Sequence, residues 1–97
     1  MPDLTLTPLA REDLKNIGRY TQREWGVTQR DLYLGAFATV FDALCDGTAV
    51  VHTRDEIREN LRACLCNKHV IFFHYAETGD VQVLRILHER MDFARHL

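Results

Sequence analysis

The chain has 97 residues, and its 12 basic and 14 acidic side chains give a formal charge of −2. That length makes a single domain over residues 1–97 with a modest core, and the slight acidity supplies no field that would gather nucleic acid. No apolar run approaches the roughly 18 residues of a membrane span, and Met1-Pro2-Asp3-Leu4 lacks the basic start of a secretion signal, so a cytoplasmic protein off the membrane is expected.

Leu4-Thr5-Leu6 alternates apolar and polar side chains as a short strand does. Thr7-Pro8 then reads as a helix start, with Thr7 as the cap and Pro8 at the first helical position, where a missing N–H costs nothing. Glu12 and Asp13 lie near the positive end of this helix. Leu14, Ile17, Tyr20 or Thr21, and Trp25 recur at helical spacing, and Gly26 ends the run. Thr28, with Asp31 three residues on, is the expected cap of a second helix, whose stripe is Tyr33, Phe37, Val40, Phe41 and Leu44. Asp46-Gly47 closes it. Gly26-Val27 alone separates the two helices, so an antiparallel hairpin follows.

Residues 48–60 carry the weakest pattern; Thr53 to Ile57 fits one helical turn capped by Thr53. Beyond it the period becomes that of strands: Leu61 to Cys66, Val70 to Tyr75 and Val81 to Leu87. Asn67-Lys68 and Thr78-Gly79-Asp80 carry turn chemistry, and such short links imply an antiparallel meander. Met91 to Leu97 adds a last helical turn. The fold class is therefore α+β: an N-terminal strand, a helical hairpin, a three-stranded antiparallel meander and a short C-terminal turn. Its expected core is Leu6, Leu14, Ile17, Phe37, Val40, Phe41, Leu44, Ile71, Phe73, Val83 and Ile86. Cys45, Cys64 and Cys66 are odd in number, and no second ligand pair at zinc spacing follows Cys64-x-Cys66. Buried thiols are expected, with no metal and no cofactor.

Several stretches resemble one family in order and spacing. Leu6-Thr7-Pro8-Leu9-Ala10, Asp13-Leu14, Ile17, Tyr20-Thr21 and Trp25-Gly26 resemble the opening of ParE toxins of the ParE/RelE superfamily. Arg54-Asp55-Glu56-Ile57-Arg58 with Leu61-Arg62 resembles that family's entry into its sheet. His69-Val70-Ile71-Phe72-Phe73 resembles its central strand, and Val83 to Asp92 with His96-Leu97 its last strand and tail. Glu59-Asn60 stands where the family often has Pro-Gly or Gly, and Phe73-His74-Tyr75 where its central strand usually ends in Tyr-Arg; Asn takes the left-handed backbone more readily than most residues. The resemblance implies the toxin of a type II toxin–antitoxin pair, one that poisons DNA gyrase by binding it and is held inactive by a ParD-like antitoxin.

The superfamily also implies an alternative, ribosome-dependent mRNA cleavage, which needs a base, cations for the phosphate and an acid for the leaving oxygen. Arg62, Arg85, His88, Glu89 and Arg90 are the set that would serve it. On a regular strand Arg85 and His88 point to opposite faces. The terminal aromatic of many RelE-like nucleases is absent, so no catalytic residue is assigned and no direct nucleic-acid binding is expected. A third reading is a non-toxic member that serves only in a regulatory complex. Arg62, Arg85, His88, Glu89, Arg90 and Asp92 are candidates for touching the target, against the plainer reading of a solvated strand end with pairs such as Arg90–Asp92. Tyr20, Trp25, Phe72 and Tyr75 are candidates for the antitoxin, because a small sheet leaves edges and one face open. Trp25 packs at the helix end or, if exposed, anchors an interface. His52, His69 and His74 read as surface or hydrogen-bonded side chains.

Overall fold

In the computed structural model, residues 2–97 are described; Met1 lies outside them. The strand Leu4–Leu6 (β1) leads into two helices, Pro8–Trp25 (α1) and Val27–Asp46 (α2). Thr7 does what its place predicts: its hydroxyl accepts from the Ala10 amide at 3.1 Å and donates to the Leu84 carbonyl at 2.7 Å, fixing the helix start against the sheet. Gly26 is the whole connection, at φ +91°, where a β-carbon is disfavoured. Thr28 is not the cap: α2 starts at Val27, because a one-residue link leaves Gly26 itself at the cap position. Arg30 of α2 donates to the Gln22 side chain of α1 at 2.7 Å across this corner. No helix of the described residues is long and apolar enough to cross a membrane.

The sheet has five strands in the order β1-β5-β4-β3-β2, with β2 His52–Thr53, β3 Arg62–Cys66, β4 His69–Tyr75 and β5 Val81–His88. β1 runs parallel to β5, and every other pair is antiparallel. Two differences from the sequence reading stand out. β2 is an added edge strand, and Thr53 lies in it rather than capping a helix. The Arg54 amide donates to the Leu61 carbonyl at 2.8 Å, so residues 54–60 close as a compact turn that feeds β2 into β3. Asn60 ends that turn at φ 65°, a left-handed position that Asn tolerates better than most residues, and its backbone amide donates to Asp55.

A bulge separates Phe72 from Phe73 in the β4–β5 register: Phe72 faces Arg85 and Phe73 faces Val83, which leaves Leu84 as the extra residue. The sheet consequently has two packed faces. The hairpin face holds Phe37, Leu44, Cys64, Cys66, Ile71, Phe73, Val81, Val83 and Ile86, with Leu6, Leu14, Ile17, Val40 and Phe41 packed on them, so every expected core residue is in it. The outer face holds Leu61, Ala63, Val70, Phe72 and Leu87, covered by Ile57, Leu84, Phe93 and Leu97. Phe93 opens the last turn, Phe93–His96 (α3), and its ring meets Phe72 edge-on at 4.9 Å. Phe72 is therefore 0% exposed, which corrects its assignment as open partner surface: the chain's own tail and the 54–60 turn cover that face.

Candidate functional site

β1 pairs with β5 only as far as Val83, so the rest of that edge needs other partners. Asp13 supplies one. Its carboxylate accepts from the Ile86 amide at 2.9 Å and from Arg85 through Nε at 2.7 Å and Nη2 at 2.9 Å. Asp13 thus serves the sheet edge rather than the positive end of its own helix, whose first turn holds no acid. The bond to Asp13 pushes the Arg85 guanidinium further above its ordinary range. Arg85 also donates to the His96 carbonyl at 3.1 Å, which ties the tail to the same edge.

A groove of about 830 Å³ lies between the hairpin and one end of the sheet. The second half of α1 contributes Asn16, Ile17, Tyr20, Thr21 and Trp25, and α2 contributes Gln29 and Tyr33. Lys68 enters from the β3–β4 turn, His69 from the start of β4 and His88 from the end of β5. Tyr20 is 57% and Trp25 71% exposed, a large aromatic area on a short chain. Thr21 is buried in the wall and donates to the Ile17 carbonyl at 2.8 Å.

The polar end of the groove is ordered. The Tyr33 hydroxyl lies 2.9 Å from His69 Nδ1. The rings of His69 and His88, which face each other across the register, stand edge to face at 5.3 Å. The Arg90 amide donates to His88 Nδ1 at 3.1 Å, so the neutral His88 ring carries its proton on Nε2. Burial, followed by the nearby His88, holds His69 below the usual histidine range, while Glu89 and Asp13 pull the other way. Burial also raises the Tyr33 phenol. Among the described residues, no three His, Cys, Asp or Glu side chains gather as metal donors.

A family model, ParE toxin of type II toxin-antitoxin system, parDE, matches residues 4–93. The chain belongs to the ParE toxin family. It is 35% identical over 92 residues to the toxin ParE of Escherichia coli, covering 95% of this chain and 89% of that one. It is 33% identical over 92 residues to the toxin ParE1 of Mycobacterium tuberculosis, covering 95% and 94%. Among solved structures, the chromosomal ParDE system from P. aeruginosa has the same fold, with a TM-score of 0.73 at 18% identity over 91% of this chain and 96% of that one.

In this ParE-family chain the residues singled out from sequence fall in separate places. Tyr20 and Trp25 line the groove, and so does His88. Tyr75 is partly exposed at the other end of β4, with the Arg62 guanidinium 5.3 Å from its ring center. Arg62 pairs with Phe73, at the end of the sheet away from His69 and His88, and its buried Nε has no hydrogen-bond partner among the described residues. Arg85 is held by Asp13. Glu89 is exposed, and its amide donates to the Lys68 carbonyl at 2.9 Å. Arg90 is exposed, and Asp92 stands at the cap position of α3 without a side-chain cap bond. No Arg90–Asp92 ion pair forms among the described residues. Arg85 and His88 do lie on opposite faces, since the register is regular from Arg85 to His88.

Lys68, Tyr33, Asn16 and Gln29 were not singled out as site residues from the sequence, and His69 read as an ordinary hydrogen-bonded side chain, which its bond to Tyr33 matches. The signal for His69 was the hairpin register. Once β4 starts at His69 and β5 ends at His88, the two rings are opposite partners.

Proposed function

We propose that this ParE-family toxin acts by binding DNA gyrase and not by catalysis, and that a ParD-like antitoxin neutralises it by occupying the groove. The observation that supports a binding role is the dispersal of the cations a nuclease would need. Arg62 is at the far end of the sheet, and Arg85 is neutralised by Asp13. Phosphate chemistry needs its cations and its acid–base groups within reach of one phosphate. The exposed Tyr20 and Trp25 beside the groove support the antitoxin site, since rigid aromatics make efficient interface anchors. Docking there would also stabilise a small chain by mass action.

A supercoiling assay with purified gyrase tests the target. Inhibition with accumulated DNA cleavage is expected, and unchanged supercoiling at micromolar toxin refutes it. One observation favours a second reading. Tyr33, Lys68, His69 and His88 share the groove, and these residue types can move protons and steady charge. Toeprinting on translating ribosomes separates the two: mRNA cuts that vanish in His88→Ala would establish cleavage instead.

A further inference from the structure

We propose, building on the antitoxin reading, that the groove takes a segment carrying an apolar anchor and a carboxylate, with the anchor between Ile17, Tyr20 and Trp25 and the carboxylate on Lys68, His69 and His88, so that a proton taken up by His69 tightens the complex.

The charge of the groove selects the acidic partner. Its lining contains Lys68, His69 and His88 and no Asp or Glu. Lys68 is exposed and forms no ion pair among the described residues. A basic segment would be repelled by Lys68, whereas a carboxylate gains a charge-assisted bond. The apolar wall is on α1, and the charged end is on the sheet, so the two determinants address different side chains of one segment.

The two histidines play different parts. His88 Nδ1 accepts from the Arg90 amide, and a proton on that nitrogen would break the bond. With Nδ1 engaged in this way, His88 offers Nε2–H as a donor. His69 Nδ1 meets a hydroxyl, and the Tyr33 oxygen can donate to a neutral ring or accept from a protonated one. His69 is thus the group able to take a proton without losing its partner. The charged and titratable groups around it are Asp13 from α1, already paired with Arg85, Tyr33 from α2, Cys66 from β3, Lys68 in the turn, and His88 and Glu89 from the end of β5. In the free chain burial disfavours the charged ring. A docked carboxylate favours it, so binding draws in a proton. Affinity then rises as pH falls below the bound-state value of His69 and levels off below the free-state value.

The test uses the purified chain and its ParD-like antitoxin, titrated by calorimetry from pH 8 to pH 6 in two buffers of different ionisation enthalpy. The dissociation constant is expected to fall by about fivefold to tenfold, with uptake of up to one proton. His69→Gln should flatten this profile. His88→Gln should weaken binding at every pH and keep the slope. A wild-type profile that is flat, or one unchanged in His69→Gln, overturns the inference and leaves the antitoxin reading standing; no binding at any pH overturns both. Lys68→Met covers the case of a His69 variant that fails to fold, because Lys68 is exposed and outside both cores. It should weaken binding several-fold with the slope retained, and wild-type affinity in Lys68→Met overturns the carboxylate.

Discussion

Replacing Asp13 by Ala removes three bonds at once: two from Arg85 and one from the Ile86 amide. It also leaves Arg85, whose side chain is 17% exposed, without its counter-charge in a partly dry place. Breaking a fully buried ion pair from one side costs 3–5 kcal/mol, and a charged hydrogen bond 1.5–3 kcal/mol, so with some solvent relief a loss of about 3 kcal/mol is expected. A chain of this size has roughly 5–15 kcal/mol of stability in all. At about 4–8 °C per kcal/mol, the melting temperature should drop by roughly 12–24 °C. Asp13→Asn keeps an acceptor for the Ile86 amide and should lose less, about 2 kcal/mol. Arg85→Met in the Asp13→Ala background removes the orphaned charge and should recover about 1 kcal/mol or more. Urea titration of these proteins and of Arg85→Met alone gives these differences at constant m-value. A loss below about 1 kcal/mol for Asp13→Ala, or strict additivity of the two changes, would refute the view that this pair fastens α1 to the β5 edge.

Three other outcomes follow from single contacts. Phe93→Ala should uncover Phe72, cost about 1–2.5 kcal/mol and raise binding of a hydrophobic dye; an unchanged dye signal would mean that the tail does not seal the outer face. Asn60→Val should cost about 1–2 kcal/mol, because a branched side chain resists φ 65°, whereas Asn60→Gly should stay within about 0.5 kcal/mol in the same denaturation assay. Burial, with a smaller push from Cys64, raises the Cys66 thiol from an ordinary 9.0 to about 11, so it stays protonated in the folded chain while the unfolded chain ionises first. The stability this contributes is complete below about pH 9 and declines as pH rises toward 11, and at pH 8 alkylation of Cys66 in the native protein should be slow beside that in urea.

What could be read from the sequence divides along physical lines. Thr7-Pro8, Trp25-Gly26 and the stripe from Tyr33 to Leu44 are local signals, and the helices they announce lie where expected apart from the Thr28 cap. β2 was missed because two exposed residues carry no alternation to detect; it exists through pairing with Arg62 and Ala63. The bulge at Leu84 is also invisible locally, since it depends on matching β5 to β4 at both ends. Alternation did place Phe72 opposite Ile71 and Phe73, but alternation says only which face a residue is on. Whether that face is open depends on residues far along the chain, here Ile57, Phe93 and Leu97.

The groove, and not the outer face, is the surface left open beside the sheet. A five-stranded sheet has two faces to cover, and a two-helix hairpin covers one. The outer face is closed by two short elements, neither of which has helical length enough to be stable alone. Arg58 donating to the Leu97 carbonyl and Arg85 donating to that of His96 hold the tail on from two directions. No such arrangement closes the end between Trp25 and His88. There the second half of α1 keeps Tyr20 and Trp25 in solvent, and the hydrogen-bonded pair of Tyr33 and His69 lines the same groove. Polar groups fixed at the end of an exposed apolar wall cost stability that a free chain does not recover, and a bound segment satisfying both would return it.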